Sequence, residues 1–388
     1  MKILHTVEFY HPSKGGSQEV VKQLSERMVE LGHEVTVATS RLAERDFKEL
    51  NNVKIVEFEI SGNAVRGYQG NTQGYKDFLL SNKFDVVMNY AAQQWATDLF
   101  LEVMDNVKAR KVFVPCGFSG LHNPMYKEYF EQMPRVLKSY DATVYLSPTY
   151  RDTVFAKEHG VKNMHIIPNG ADEREFAKTP LGIKQKLDIP NTSKLVMHLG
   201  SFTGQKGQPE AIEIFTRAKV ANTALVLVGN VFDKRLYNKC RLRATAYNFN
   251  PGNIAAKRKI IVTQLSRPET VSLLQESDLF LFPSNIEASP LVLFEACAAK
   301  TPFMSTDVGN AKEIVEWTKG GVIMPTEKDE LGNSHANVVA AADMLKELLG
   351  ESDKLAQLAK DGYTNWKANY SWAILAKKYL AIYGGRTK

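Results

Sequence analysis

The sequence is poor in cysteine and has no long apolar run. Its 388 residues contain three cysteines, Cys116, Cys240 and Cys297, which stand far apart and form no Cys-x-x-Cys pair. A disulfide framework or a zinc site is therefore not expected, and a reducing cytosol is the simplest compartment for the chain. No apolar run approaches the roughly 20 residues that a membrane-spanning helix needs, so the sequence predicts no such helix.

Several nucleotide-binding signatures are also missing. The loop Gly204–Gly207 carries a lysine but lacks the Ser or Thr that follows the lysine of a P-loop. The early loop Gly15–Glu19 reads GGSQE, which is not the G-x-G-x-x-G of a dinucleotide-binding fold. Two adjacent glycines do let a backbone come close to a bound group, and the alternative is a tight strand-to-helix turn.

The composition is that of a globular chain with a mild positive charge. Hydrophobic residues make up 44% of the sequence and charged residues 24%. A length of 388 residues suffices for two domains. Much of the formal charge of +6 comes from Lys234–Lys259, which holds eight basic residues and no acidic one. Such a run could dock on anionic lipid or another polyanion, or it could be an ordinary solvated face. Nucleic acid is not an expected partner.

Short apolar runs alternate with helical patterns in both halves of the chain, which predicts α/β domains with parallel sheets. The predicted strands of the first half are Lys2–Val7, Glu34–Ala38, Val53–Phe58, Asp85–Asn89, Lys111–Val114, Ala142–Ser147 and His165–Pro168. Those of the second half are Leu195–Leu199, Ala224–Val228, Ile260–Thr263, Leu279–Phe282, Pro302–Ser305 and Gly321–Met324. We expect two Rossmann-like doubly wound domains that face each other across a cleft, with ligands beyond the carboxyl ends of the strands.

The polar stretch Thr179–Ser193 contains two prolines and a glycine, and it is predicted to be the linker. We therefore expect an N-terminal domain at residues 1–185 and a C-terminal domain at 190–365. Residues 366–388 are expected to form a helical tail that packs back toward the N-terminal domain.

The segment Ser284–Glu295 combines a strand end, a turn and a helix start. Two carboxylates, Glu287 and Glu295, have seven residues between them, and a helix is predicted to begin within that interval, near Pro290. Carboxylates accept hydrogen bonds from sugar hydroxyls, and the unpaired amides of a helix N-terminus hold phosphate oxygens. The pattern favours a ligand with both groups, and the alternative is a capped helix with two ordinary surface glutamates.

Motifs along nearly the whole chain then resemble one family, the GT-B retaining glycosyltransferases of glycosyltransferase family 4. The resemblance is carried by GGSQEVV, AKEHGV at Ala156–Val161, IIPNGAD at Ile166–Asp172, HLGSFTGQKG at His198–Gly207, LVGN at Leu227–Asn230, ESDLFLFPS at Glu276–Ser284, and the Glu-seven-Glu segment with ACAAKTPFMSTDVGNAKEIV after it. Any one motif is a moderate signal, whereas their order and spacing together are specific.

The resemblance implies a role for each matching residue. Lys206 would contact the donor diphosphate, Glu287 the hydroxyls of the transferred sugar, and Glu295 the nucleotide ribose. Gly16 in the glycine loop would approach the donor phosphates from the first domain, next to Gly15 on the acceptor side. The remaining expected donor contacts are Ser201, Asn230, Leu265, Ser289, Pro290 and Leu291.

This chain departs from the family pattern at two places that bear on catalysis. Ser201 stands where the family usually has an arginine, so a second phosphate cation is missing or comes from elsewhere. Cys116 stands where the family has a histidine near the reacting carbon, and His122 or His11 would have to substitute for it. Lys300 replaces a frequent glycine, which we expect to be harmless.

The expected activity is transfer of a sugar from a UDP- or GDP-linked donor, with retention at the anomeric carbon and without a metal. No Asp-x-Asp motif is present, and neither a metal nor another cofactor is expected. The acceptor would be a glycan, a glycolipid or another lipid-linked molecule, handled in the cytoplasm or at the inner face of the membrane. Tyr126–Leu137 could lie on that membrane as an interfacial helix, or it could be ordinary core. The alternatives are a non-catalytic nucleotide-sugar binding protein and a nucleotide-sugar epimerase.

Overall fold

Apolar strands form two main sheets, one in each of two units of the chain, and all their strand pairs are parallel except one at the edge of the first sheet. The computed structural model describes residues Met1–Gly385. The first unit comprises Met1–Asn169 together with the chain from Trp372 onward, and the second comprises Gly170–Ser371.

The first unit is built around one large sheet. Its strands are β1 (Lys2–Thr6), β2 (Glu34–Ser40), β3 (Glu49–Leu50), β4 (Val53–Phe58), β5 (Ile60–Asn63), β6 (Gly67–Gly70), β7 (Val86–Tyr90), β8 (Arg110–Val114), β9 (Ala142–Tyr145) and β10 (Met164–Ile166). Its first helices are α1 (Gly16–Glu30), α2 (Thr72–Ser81), α3 (Trp95–Leu101), α4 (Lys127–Ser139) and α5 (Arg151–Glu158), with 3₁₀ turns at Met104–Asn106 and Pro124–Tyr126.

The strand order of this sheet is β10-β9-β8-β7-β1-β2-β4-β3, and every pair is parallel except β3 with β4. Strands β5 and β6 form a separate antiparallel hairpin. The order reverses between β1 and β7, which pair directly. Open α/β sheets bind ligands beyond the carboxyl ends of the strands at such a reversal.

The second unit repeats the architecture with fewer strands. They are β11 (Lys194–Leu199), β12 (Thr223–Val228), β13 (Arg258–Thr263), β14 (Leu279–Phe282), β15 (Phe303–Ser305), β16 (Gly321–Ile323), β17 (Thr326–Lys328) and β18 (Ser334–Ala336). The helices are α6 (Glu173–Phe176), α7 (Ile183–Lys186), α8 (Gln208–Ala218), α9 (Lys234–Asn248), α10 (Pro251–Ala255), α11 (Arg267–Gln275), α12 (Leu291–Ala298), α13 (Ala311–Thr318), α14 (Val338–Gly350) and α15 (Ser352–Asn369).

Six of these strands form an all-parallel sheet in the order β13-β12-β11-β14-β15-β16, and β17 pairs with β18 in a small hairpin. Apolar residues on both faces of the sheet are buried under the helices, as a parallel sheet requires. This order reverses between β11 and β14.

The predicted linker is part of the second unit, so the prediction at Thr179–Ser193 was wrong. Ile183 and Ile189 in this stretch are each 3% exposed and belong to the core of the second unit. The amides of Ile183 and Lys184 donate to the Glu276 carboxylate over 3.0 and 2.7 Å. The first unit ends at Asn169 rather than at residue 185. The prediction failed because polar composition alone does not distinguish a linker from a loop that packs on a domain.

The chain returns to the first unit at its last helix, α16 (Trp372–Tyr383). The Tyr383 hydroxyl lies 2.9 Å from Nε2 of His5, and Nε of Arg110 donates to the Ile382 carbonyl over 2.7 Å. The expected tail boundary at residue 366 needs correction, because Trp366 is buried in the core of the second unit.

Helix α4 belongs to the core of the first unit. Its apolar side chains Phe130, Met133 and Leu137 are 6%, 1% and 0% exposed. An interfacial membrane helix would present these side chains to lipid. The structure therefore contains the core-packed alternative for Tyr126–Leu137.

Candidate active site

Two loops of the second unit are joined at the carboxyl ends of β11 and β14, where the strand order reverses. The amide of Asn285 donates to the Gln205 carbonyl over 3.0 Å, and the Ser284 hydroxyl donates to the same carbonyl over 3.2 Å. Gly207 has φ 71°, and a Cβ there would lie 1.9 Å from the Pro283 carbonyl oxygen. Only glycine allows this approach, which fixes the position of Lys206.

Lys206 and Glu287 form an ion pair across these two loops. The lysine Nζ lies 2.7 Å from Glu287 Oε1 and 3.3 Å from the Ile286 carbonyl oxygen. The Ser284 hydroxyl donates to the same Glu287 oxygen over 3.1 Å. Both charged side chains keep partial access to solvent, with 26% and 16% exposed. A cation and a carboxylate thus stand side by side where a ligand can reach them.

The turn that follows leads into α12. Pro290 is the N-cap of this helix, and Leu291 is its first residue, which is the predicted start. A hydrogen bond fixes this turn: the backbone amide of Asn310 donates to the Ala288 carbonyl over 3.1 Å. Glu287 of the ion pair stands three residues before this N-cap, so the N-terminus of α12 follows the ion pair directly in the chain, and Ser289 between them is 8% exposed.

Glu295 lies one turn into α12 and is tied to an arginine that the sequence did not single out. Its Oε1 is 2.6 Å from Nη2 of Arg267, and Nε of the same arginine is 3.1 Å from Glu175. Glu295 is 7% exposed. The signal available in the sequence was a cation shortly after the predicted strand Ile260–Thr263. Arg267 is the first residue of α11, between Ser266 and Glu269, which form the capping box of that helix.

The remaining predicted donor contacts lie at the same edge of the sheet. Ser201 follows β11, Asn230 follows β12 and Leu265 follows β13, and these three strands are parallel neighbours. The Phe202 amide donates to the Asn230 carbonyl over 2.8 Å. A Cβ on Gly229 would lie 1.9 Å from the Gly200 carbonyl oxygen, so the loops after β11 and β12 are in contact.

The three acceptor-side predictions, Gly15, Cys116 and His122, lie in the first unit on two separate loops, together with Gly16, which was predicted to approach the donor phosphates. Gly15 is the N-cap of α1 with an extended φ of 177°, and Gly16 is the first helical residue. Cys116 follows β8 in a left-handed conformation with φ 59°. Its Sγ is 3.9 Å from the Tyr90 hydroxyl, and burial raises the pKa of the thiol to about 11. His122 is exposed, and its ring makes no hydrogen bond within residues 1–385.

Sequence reasoning missed a carboxylate at the reversal point of the first sheet. Glu8 follows β1, and its amide donates to Gln94 Oε1 over 2.7 Å. Burial, and then the charge of Asp98, raise the pKa of Glu8. Its carboxylate makes no hydrogen bond or ion pair with any residue in 1–385. After the neighbouring β7, Ala91 and Gln93 adopt left-handed conformations with φ 69° and 62°, which is strain of the kind that accumulates at functional sites. The signal available in the sequence was an acid closing a buried strand.

Within residues 1–385, no group of three or more His, Cys, Asp or Glu side chains is placed to hold a metal ion. No helix in the same range is both long enough and apolar enough to cross a membrane.

Comparison with known proteins identifies the family to which the chain belongs. A family model described as "Glycosyltransferase Family 4" matches residues 14–175, and one described as "Glycosyl transferases group 1" matches residues 182–363. A probable sucrose-phosphate synthase of Thermosipho melanesiensis is 22% identical over 96% of this chain and 91% of its own. A GDP-mannose:cellobiosyl-diphosphopolyprenol alpha-mannosyltransferase of Xanthomonas oryzae is 21% identical over 99% of this chain and 96% of its own.

The solved structures agree on the fold. The crystal structure of Anabaena HepE in complex with UDP superposes with a TM-score of 0.76 over 99% of this chain and 100% of that one, at 15% identity. The two family models match consecutive parts of the chain, and each of these parts carries strands of a different doubly wound sheet. The chain belongs to the GT-B glycosyltransferases of the family 4 type.

Proposed function

We propose that the protein transfers a sugar from a nucleotide-sugar donor, with retention of anomeric configuration, and that the second unit holds the donor. The observation that carries this proposal is the Lys206–Glu287 pair beside the N-terminus of α12. It combines a cation, a carboxylate and a helix N-terminus at a strand-order reversal. These are the groups that a sugar diphosphate requires.

The leaving nucleoside diphosphate gains negative charge as the glycosidic bond breaks. A diphosphate near Lys206 would compete with Glu287 for the ammonium group, and Glu287 Oε1 would then be available to sugar hydroxyls. Lys206 and the dipole of α12 would stabilise the charge at the place where it develops. With this stabilisation supplied by protein groups, we propose a reaction that needs no divalent metal.

Glu295 is proposed to hold the ribose. Arg267 occupies its Oε1, so Oε2 is the oxygen that would accept from ribose hydroxyls. Arg267 thereby acts as a positioning residue for the carboxylate. UDP bound to HepE and GDP-mannose in the name of the Xanthomonas relative support a uridine or guanosine nucleotide.

The acceptor is proposed to be a glycan or a lipid-linked molecule, in cell-surface polysaccharide or glycoconjugate synthesis. The diphosphopolyprenol in the name of the Xanthomonas relative supports a lipid-linked acceptor. We place the protein in the cytoplasm, peripherally associated with the anionic inner face of the membrane.

A second candidate function is nucleotide-sugar binding without catalysis. It is favoured by Cys116 at the position of the family histidine, since burial raises the pKa of the thiol to about 11 and keeps it protonated at neutral pH. The exposed His122 is not held in place by a hydrogen bond within residues 1–385.

The test is calorimetric titration with UDP, GDP, ADP and TDP, each with and without EDTA, on wild type and Glu295→Ala. We expect one nucleotide to bind regardless of EDTA and to lose affinity in the variant. The exposed Glu316→Ala in α13 is the matched control and should bind as wild type does. If none of the four nucleotides binds, the donor site is wrong. If the donor binds but is never turned over with any acceptor, the non-catalytic function is correct.

A further inference from the structure

Helix α9 has one face packed against its unit and one face in solvent. Cys240 and Ala244 are buried, and Leu236, Tyr237 and Tyr247 lie half-buried on the same side. These five positions follow the three- and four-residue spacing of a single helix face. The helix covers β13, which is the edge strand of the second sheet. The residues of its opposite face, among them Arg235, Leu242 and Ala246, are exposed.

That outer face exposes large apolar side chains. Leu242 at its centre is 71% exposed, and Phe249, seven residues further on the same stripe, is 77% exposed. Phe232 just before the helix and Ile254 in the following α10 are 70% and 60% exposed. Single exposed apolar residues are common, but Leu242 and Phe249 share one stripe, and Phe232 and Ile254 stand close to it in the chain. Exposed apolar residues that cluster in this way mark interaction surfaces.

The same segment is strongly basic. Between Lys234 and Lys259 the basic residues are Lys234, Arg235, Lys239, Arg241, Arg243, Lys257, Arg258 and Lys259, and there is no acidic residue. Within residues 1–385, Lys259 is the only one of them in an ion pair, with Asp188 at 3.4 Å. Arg235 lies on the stripe of Leu242, and Arg241 and Arg243 lie on either side of it. Asp233, just before this segment, caps the helix by accepting from the amides of Arg235 and Leu236.

We propose that this surface, residues 232–259, docks on an anionic lipid bilayer. Leu242 and Phe249 would enter the boundary between headgroups and acyl chains, and the arginines and lysines around them would contact lipid phosphates. An apolar stripe within a basic face is the arrangement that interfacial helices use. The electrostatic attraction of an anionic leaflet and the burial of apolar side chains both contribute to membrane affinity, so neither of them has to be strong by itself.

Other occupants fit less well. A second copy meeting this face about a two-fold axis would bring two basic surfaces together, and like charges repel. Nucleic acid would match the charge, but its affinity rests on phosphate contacts, which give no role to exposed Leu242 and Phe249 at the centre of the face. The proposal gives the location of the membrane association proposed above, and it is independent of catalysis.

The experiment measures co-sedimentation of the full chain with vesicles of phosphatidylcholine, with and without phosphatidylglycerol. Wild type should bind the phosphatidylglycerol vesicles and not the neutral ones. Arg235→Gln with Arg241→Gln and Arg243→Gln should weaken binding about a hundredfold, since each cationic side chain near an anionic surface contributes about a factor of five in affinity. Leu242→Ser with Phe249→Ser should abolish the binding that persists at high salt, because salt screens only the charged part.

Matched control variants have the same chemistry elsewhere on the second unit. Leu331→Ser removes an apolar side chain that is 85% exposed, and Lys346→Gln with Lys360→Gln removes exposed charge. Both should bind vesicles as wild type does. A direct readout is the tryptophan fluorescence of Phe249→Trp, which brominated acyl chains should quench. The fluorescence of the control variant Leu331→Trp should not be quenched.

The outcomes separate this surface from the rest of the proposed function. If wild type does not bind anionic vesicles, membrane association and this surface are both wrong. If wild type binds and the variants on residues 232–259 bind equally well, association stands and this surface is overturned. Titration of the same variants with donor nucleotide should give wild-type affinity, because the substitutions lie outside the donor site.

Discussion

At the scale of single residues, the donor site depends on contacts between distant parts of the sequence. Glu287 and Glu295 could be identified as a pair because their spacing is local and a helix start lies between them. Arg267 could not be placed, because its contact with Glu295 is made through the fold and leaves no periodic signal. Glu8 was missed for the same reason, since the reversal between β1 and β7 exists only in the folded sheet.

Lys206→Ala should reduce turnover by more than it reduces donor binding. The lysine is proposed to stabilise charge that develops in the transition state, and removing one such group costs about a hundredfold or more in kcat. The measurement is kcat with saturating donor alongside calorimetric donor affinity, with exposed Lys346→Ala as control. Equal turnover in Lys206→Ala and wild type would rule out the leaving-group role.

Glu8→Gln should impair use of the acceptor and leave donor affinity unchanged. A half-buried carboxylate with no hydrogen-bonding partner in residues 1–385 is suited to orient an acceptor hydroxyl. Loss of a charge-assisted hydrogen bond costs about 1.5–3 kcal/mol, or roughly ten- to a hundredfold in kcat/KM for the acceptor. Glu34→Gln, an exposed carboxylate at the amino end of β2, is the control. A loss of donor affinity in Glu8→Gln would contradict the acceptor role.

At the scale of elements, the buried strands were predictable and the hairpins were not. A strand buried on both faces reads as a continuous apolar run, as Leu279–Phe282 does, and this strand has the predicted bounds. Val53–Phe58, which is only partly buried, also has the predicted bounds. The hairpin of β5 and β6 has no such run. It depends on glycines, including Gly62 with φ 92°. Backbone conformation of this kind is visible in the sequence only as a turn signal.

Gly207→Ala should disrupt the donor loop far more than Gly204→Ala, although both glycines lie in one loop. Their φ values are 71° and 86°, so both substitutions carry the strain of a left-handed alanine, about 1 kcal/mol. A Cβ at position 207 would also meet the Pro283 carbonyl oxygen at 1.9 Å, whereas nothing lies within 4 Å of one at position 204. We therefore expect Gly207→Ala to lose donor binding and to lower Tm by several degrees more than Gly204→Ala, as measured by calorimetry. Similar Tm and affinity for the two variants would show that the contact with Pro283 does not hold the loop.

At the scale of the whole molecule, the chain passes between its two units twice. It leaves the first unit at Asn169 and returns at Trp372, so α16 completes a unit that begins some 370 residues earlier. Two α/β units could be predicted because the alternation of strands and helices restarts in the second half. The crossing points could not, because Ile183 and Ile189 bury part of the otherwise polar stretch Thr179–Ser193 in the core of the second unit.

The contact between α16 and β1 makes the stability of the first unit depend on pH. His5 is fully buried between Ser25, whose hydroxyl is 2.8 Å from Nδ1, and the Tyr383 hydroxyl at Nε2. Burial lowers the pKa of His5 to about 3, whereas the unfolded chain titrates near 6.5. Between these values the unfolded state binds the proton and the folded state does not. Stability due to His5 is therefore complete above pH 6.5 and is lost, by up to about 1.4 kcal/mol per pH unit, as the pH falls toward 3.

The variant His5→Gln isolates this effect, since glutamine keeps hydrogen-bonding groups at the site and does not titrate. Asp98 and Asp152 of the same unit act in the opposite sense, because burial raises the pKa of each to about 6 and lets the folded state hold the proton. The comparison is therefore between variants at each pH. The free energy of unfolding, measured with urea from pH 7.5 to 5, should fall less steeply for His5→Gln than for wild type. The control variant His122→Gln, at an exposed position, should show the same pH dependence of unfolding free energy as wild type. If the curves of unfolding free energy against pH are parallel for His5→Gln and wild type, His5 is protonated with the fold intact and the explanation is wrong.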